Sequence, residues 1–327
     1  MKTLLITPLP TLRRIAFVVL LCSLAVPCLA QQPVTSLLQA VRSADKAPFR
    51  AVPMAGVQGD EDWSTLFGLS GVYDNAIAIA VNGDDVYIGG DFDFAGTVTT
   101  AASIVRWNAT TKTWSALGND LFGAGVFTGN VGSLDTGTIT ALAVSGTKLY
   151  VGGNFSYVGD ATNPIAANNV AVYDKAAGTW AALGSGMDLT VSALEVTDDG
   201  SIVFAGGGFT QAGGQAASGV AQINVNAGGD WEPLGAGLDS FVITLELIGN
   251  DLYAGGAFLT SGGAGPLNSV ARWDGVDWQP LMDADGDRGV ACAPGTVQCF
   301  VIALTTNGTD LFLGGNSSRP EERPPTA

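Results

Sequence analysis

Leu149 to Phe155 reads LYVGGNF, an apolar run that ends in two glycines and an aromatic. The same shape stands at Val86 as VYIGGDF and at Leu252 as LYAGGAF. Looser versions stand at Val203 (VFAGGGF) and Leu311 (LFLGGNS). The five glycine pairs begin at Gly89, Gly152, Gly206, Gly255 and Gly314, with spacings of 63, 54, 49 and 59. A second marker keeps step with them: WSTLFG at Trp63, WSALG at Trp114, WAALG at Trp180, WEPLG at Trp231 and WQPL at Trp278. From a glycine pair to the next Trp the distance is 23 to 28 residues. From Trp to the next pair it is 24 to 26 residues in three cases, but 38 after Trp114 and 36 after Trp278. Repetition at this period is the first thing a fold assignment must explain.

One period holds four short apolar runs. In the copy around Leu149 they are TITALAVSG, KLYVGGNF, NVAVYD and TWAALG. Each has strand length, is rich in Val, Ile, Tyr or Trp, and is bounded by turn formers. LYVGG and NVAVY are apolar on both alternating faces, which means sheets covered on both sides. Four-stranded antiparallel sheets repeated at this period predict an all-β fold, a β-propeller. The glycine pair is expected to let another backbone or a large ring approach closely, and the ring at hand, for which it should make room, is the Trp of the fourth strand. Four copies are complete, and a half repeat remains at each end. The sequence therefore predicts five blades, the fifth shared between the N- and C-termini, with its N-terminal part at Phe49 to Pro53 and at Trp63. A ring closed this way hides the edge strands.

The double glycine, an aromatic in the third strand (Trp107, Tyr173, Trp273) and the Trp of the fourth strand resemble the kelch repeat. The extended form from Leu252 to Leu281 is similar to secreted bacterial kelch-type propellers, to the luminal domain of fungal cortical-marker proteins and to the central domain of galactose oxidase. The third copy departs from the pattern, with Ile223 in the aromatic position. Copper oxidases of this group need histidine ligands, and the chain has no histidine.

That absence also removes Ser-His-Asp and Cys-His nucleophile systems and HExxH zinc hydrolases. Lys2, Arg13 and Arg14 followed by the apolar stretch Ile15 to Val26 read as a signal peptide over residues 1–30, cleaved after Ala30. Residues 31–48 read as a linker, 49–315 as the propeller and 316–327 as a disordered tail. Secretion, or a periplasmic or cell-surface location, is the expectation, with no membrane insertion after cleavage. The whole chain holds 14 basic and 30 acidic residues, and the leader takes three basic ones with it, which leaves 11 − 30 = −19. Such a surface disfavours nucleic acid and anionic lipid. Of four cysteines, two leave with the leader, and Cys292 and Cys299 are expected to form a local disulfide.

In a propeller the strand 2–3 and strand 4–1 connections share one face, where ligands bind. Asp91, Asn154 and Asn316 follow glycine pairs there, and Phe122 and Phe127 lie in the long connection from Gly118 to Thr138. These five are the candidate ligand-binding residues. Asp283, Asp285 and Asp287 sit at alternate positions, as in a calcium loop. Gly286 stands at position four rather than six and no Glu closes the loop, so a solvated acidic turn competes with calcium. Asn-x-Ser/Thr triplets occur at Asn108, Asn154, Asn307 and Asn316. The function expected is a non-catalytic, monomeric module that binds a protein or carbohydrate ligand through its loop face. The alternatives are a carbohydrate-active enzyme with paired Asp and Glu, for which Glu195 and Glu246 are the glutamates inside predicted strands, or a structural cell-envelope module.

Overall fold

The structure is a computed structural model that describes residues 71–96, 98, 101–118, 124–130, 133–160, 163–262, 265–282, 286, 288–290 and 299–316. The expected signal peptide, the linker, the N-terminal strands near Phe49 and Trp63, Phe122, Asp283, Asp285, Asp287, Cys292 and residues 317–327 lie outside the described residues.

The described residues form strands and turns, with no helix among them. The first sheet is a meander of β1 (Val72–Asn82), β2 (Asp85–Ala95), β3 (Ile104–Asn108) and β4 (Thr113–Ser115). A hairpin of β5 (Ala124–Asn130) and β6 (Ser133–Thr136) follows. The second sheet takes β7 (Thr138–Ser145) and β8 (Lys148–Asn154). A further hairpin of β9 (Tyr157–Asp160) and β10 (Asn163–Ala166) precedes its outer strands, β11 (Val170–Asp174) and β12 (Thr179–Ala182). The third sheet has β13 (Val191–Val196) and β14 (Ile202–Gly207), a small hairpin of β15 (Gln211–Ala212) and β16 (Gln215–Ala216), then β17 (Val220–Asn224) and β18 (Glu232–Pro233). The fourth is β19 (Val242–Ile248), β20 (Asp251–Gly256), β21 (Val270–Trp273) and β22 (Trp278–Pro280). A fifth, two-stranded sheet is β23 (Val301–Thr306) with β24 (Leu311–Gly315).

The sheets stand in chain order, with β1 against β7, β7 against β13, β13 against β19 and β19 against β23. Apolar cores fill each gap between neighbours, such as Tyr150, Val191, Val203 and Trp231 between the second and third sheets. The alternation in β7 explains its place. Ile139, Ala141 and Ala143 are buried while Thr138, Thr140 and Leu142 are half-buried, so both faces meet protein.

The glycine pairs have two separate jobs, and neither is to admit the fourth-strand Trp. A Cβ on the first glycine would strike a β-branched residue of the next sheet. Gly89 faces Ile139 at 2.5 Å, Gly152 faces Val191 at 2.6 Å, Gly206 faces Val242 at 2.6 Å and Gly255 faces Val301 at 2.7 Å. The second glycine faces backbone of its own sheet. Gly90, Gly153, Gly207, Gly256 and Gly315 each lie against the carbonyl of Asn75, Thr138, Thr190, Phe241 or Phe300, in that order. A register shift in the first strand lies beside each of these contacts, for example between Ile139 and Ala141.

Room for aromatic rings comes from other glycines. A Cβ on Gly96 would enter the Trp114 indole, and one on Gly184 would stand 3.0 Å from Trp231 Cδ1. Trp114, Trp180, Trp231 and Trp278 are all buried. Trp180 Nε1 donates to the Leu117 carbonyl at 3.0 Å, Trp231 to Leu183 at 2.8 Å and Trp278 to Leu234 at 3.3 Å. The W-x-x-L motifs at Trp180 and Trp231 thus accept the indole N–H of the next sheet on their Leu carbonyls and send their own N–H back to the previous sheet. Trp107, Tyr173 and Trp273 pack on the Trp of their own sheet with ring centroids 5.0 to 5.5 Å apart.

Candidate ligand-binding face

The strand 2–3 and strand 4–1 connections meet at one end of the sheets. Their geometry starts from the aromatic that follows the glycine pair by two positions. Phe92, Phe155, Phe209 and Phe258 are buried. Each accepts at its carbonyl the N–H of a residue near the start of the third strand, namely Ser103, Asn169, Gly219 or Ser269. All four of those residues have φ between +64° and +71°. Their carbonyls in turn accept the N–H of the second glycine. Side chains then tie this turn to the following strand 4–1 connection: Ser103 Oγ donates to the Gly137 carbonyl, Asn169 Nδ2 to Met187 and Ser269 Oγ to Cys299. The floor of the face is a fixed backbone scaffold.

What stands on that floor differs from sheet to sheet. In the third sheet Asp188 Oδ1 accepts the N–H groups of Thr210 and Gln211 at 2.8 and 2.9 Å, and its Oδ2 accepts the Thr210 hydroxyl at 2.6 Å. Burial pushes the Asp188 carboxyl up, but these hydrogen bonds outweigh it and hold the group below the ordinary carboxylate range. In the fourth sheet Asp239 does the same to Leu259 N–H at 2.7 Å and to the Thr260 hydroxyl at 2.9 Å. Both carboxylates are clamps that spend their acceptors inside the protein. Sequence reasoning missed them, although each Asp stands eight residues after its Trp.

The corresponding places in the first two sheets are aromatic. In the second sheet Phe127 pairs with Tyr157, and Phe127 is buried. In the first sheet Tyr73 pairs with Phe94, and both are exposed. The long connection before β7 is not an open loop. It supplies β5 and β6, which join β9 and β10 in an accessory four-stranded sheet of order β10-β9-β5-β6. The Thr136 hydroxyl on β6 donates to Asp93 Oδ1 at 2.7 Å and moors this sheet to β2.

The predicted site residues that the structure describes fall on different sheets. Asp91 is half-buried on β2 opposite Asn75. Asn154 is exposed at the end of β8 opposite Thr138. Asn316 is exposed, and its Oδ1 accepts the Phe300 N–H at 2.8 Å. They occupy equivalent steps of three different sheets. Phe127 is a buried residue of β5 within the accessory sheet, not a ring on the open face. Among the described residues no group of three or more His, Cys, Asp or Glu could hold a metal ion. Glu195 and Glu246 sit at equivalent places on β13 and β19, opposite Phe204 and Tyr253, and Glu232 also falls in a strand, β18.

No protein-family model matches the chain. A protein named polarized growth protein L1, from Phoma sp., is 33% identical over 108 residues. That match covers 33% of this chain and 8% of the relative's own length. Among solved structures, the computationally designed protein Ika8 aligns with a TM-score of 0.40 at 18% identity, over 76% of this chain and 70% of its own.

Proposed function

We propose that the chain is a secreted, non-catalytic kelch-type propeller that binds a protein or carbohydrate ligand at the face made by its strand 2–3 and 4–1 connections. Its five blades are the five sheets, the last completed by the N-terminal W-x-x-L copy at Trp63. The fungal relative named for polarised growth is compatible with the resemblance to cortical markers. The observation that carries the reading is the accessory sheet. Two connections that need only join strands instead pair with one another into four extra strands on that face. Added ordered chain costs conformational entropy of roughly 1–2 kcal/mol per residue, and none of it is needed to join β4 to β7. Rigid structure placed outside the repeated core is where binding residues are carried. We also propose that Cys292 and Cys299 form a local disulfide; intact mass under non-reducing conditions should show no free thiol in the pair.

The test is to replace residues 128–135 by two glycines, since Phe127 and Thr136 are direct cross-strand partners. The expected result is a secreted, folded protein that has lost its ligand in a glycan-array and pull-down screen. Unchanged capture of the same ligand by the shortened protein would overturn the assignment of this face.

A further inference from the structure

Four sheets share one position at the loop end, where the strand 4–1 connection lies across the strand 2–3 connection. In the third and fourth sheets Asp188 and Asp239 occupy it and are satisfied internally. In the second sheet Phe127 occupies it and is buried. In the first sheet Tyr73 is 59% exposed and its partner Phe94 is 49% exposed. Direct cross-strand partners point to the same side of a sheet, so the two rings stand side by side. Beside them the register shifts between Tyr73 and Asn75. Asp74, which stands alone on β1 against Phe92 and Asp93 of β2, has φ +89°, a conformation that a non-glycine residue seldom adopts. Asp74 and Asn75 are both exposed, and Asn75 Nδ2 donates to Asp74 Oδ1 at 2.8 Å. The rigid ladder beneath, with Val72 paired to the buried Ala95, fixes the platform.

From this arrangement we infer that Tyr73 and Phe94 form a stacking platform for a neutral oligosaccharide, with Asp74 and Asn75 as hydrogen-bonding partners for its hydroxyls. The inference deepens the loop-face reading and rests on it. Aromatic rings with a few placed polar groups form the usual composition of a site that takes an amphipathic ligand. A pyranose with equatorial hydroxyls offers an apolar C–H face to a ring and polar edges to an amide and a carboxylate. Two adjacent rings suit two successive sugar units. The net charge of −16 disfavours uronic-acid or sulfated chains.

Cellohexaose is the probe, titrated by calorimetry and by NMR into the full mature protein. Tyr73→Ala and Phe94→Ala should each weaken binding about tenfold or more. Tyr73→Phe should bind within about threefold of the parent, because it keeps the ring. Val276→Ala, in the exposed turn between β21 and β22 and outside the loop face, should leave binding unchanged. Unaltered circular dichroism keeps the aromatic variants interpretable. Equal binding by all variants would overturn the platform and leave the loop face to another ligand site. Absence of any saccharide binding in the parent overturns it as well, while loss of a protein ligand on shortening the β5–β6 hairpin would still support the loop face.

Discussion

The joint between the second and third sheets and the far side of the fifth sheet are made of the same repeat, yet among the described residues only the first is filled. At the joint Gly152 lies against Val191, Tyr150 is 3% exposed, and Trp231 reaches across to the Leu183 carbonyl. At the fifth sheet, among the described residues, Gly314 has only Ala303 Cβ within 4 Å, at 3.9 Å and in its own sheet. Phe312, in the step of Tyr150, is 53% exposed. Each repeat therefore carries half of a joint on each side, a glycine groove on one and a β-branched ridge on the other. Stability of such an array is a sum over neighbours. The first sheet faces outward with Ala76 in the step held elsewhere by Ile139, Val191, Val242 and Val301, and with Val81 exposed. In the proposed five-blade ring Ala76 would meet Gly314, and that joint would be the loosest of the five.

The largest effect should come from the ring that bridges the filled joint. Trp231→Ala should destabilise the protein by about 3–5 kcal/mol in denaturant unfolding. Trp231→Phe should recover part of that and leave the Leu183 carbonyl without its donor. A loss under about 1 kcal/mol for the alanine variant would mean that the indole is not the joint's anchor.

Next comes the glycine groove. Gly152→Ala forces a methyl toward Val191 Cγ1, 2.6 Å away, and should cost about 2 kcal/mol. Gly314→Ala strikes nothing closer than 3.9 Å among the described residues and should change stability by less than about 0.5 kcal/mol. Equal losses at the two positions would show that the fifth sheet is covered in solution as tightly as the second.

The clamps act on the face rather than on the joints, so their effect is smaller. Asp188→Ala removes acceptors from two N–H groups and a hydroxyl and should cost about 1–2 kcal/mol. Because the folded carboxyl is held below its ordinary range, its contribution is full above that range and is lost as pH falls through the folded value. The parent should lose stability below about pH 4, and Asp188→Asn should flatten that limb. An identical acid limb in both proteins would remove the clamp.

Much of this architecture was legible in the sequence. TITALAVSG, KLYVGGNF, NVAVYD and TWAALG are the strands β7, β8, β11 and β12. Period and alternation suffice because the pairing is local. The purpose of the glycines was not legible, since a glycine marks a close approach without saying what approaches. Ile139, Val191, Val242 and Val301 lie 36 to 50 residues beyond the glycines they face, about three quarters of a repeat away in the next sheet, and only the stacking order selects them over the Trp. The accessory sheet was hidden for a similar reason. It joins Ala124–Asn130 to Tyr157–Asp160 across all of β7 and β8, and NPIA reads as a turn rather than a strand. Tyr73 and Phe94 gain meaning only once register shows that they occupy the place of Asp188 and its loop.

A smaller effect, of opposite sign, should be found at Lys175, in the joint between the first and second sheets. Its ammonium lies 5.7 Å from the centre of the Tyr87 ring, buried and without a hydrogen-bond partner. Burial pulls the amine below its ordinary range, against the pull of Asp85. The same burial, followed by the Asp85 charge, pushes the Tyr87 phenol up to about 12. One sheet further on, the equivalent residue is Val225. Its N–H binds the Ser201 carbonyl as that of Lys175 binds Thr147, and its side chain packs on the core of the next joint. An apolar side chain therefore fits this place. Lys175→Met keeps the stem and removes the desolvated amine, so it should stabilise by about 1 kcal/mol at pH 7. The sign of the pH dependence follows from the depressed folded value. Protonation is easier in the unfolded chain, so the penalty is full at neutral pH and fades as pH rises through the folded value toward the unfolded one. The two proteins should converge near pH 10. If Lys175→Met were instead less stable at pH 7, the contact of the cation with the Tyr87 ring would outweigh its burial, and the first joint would be held by a charge that the others lack.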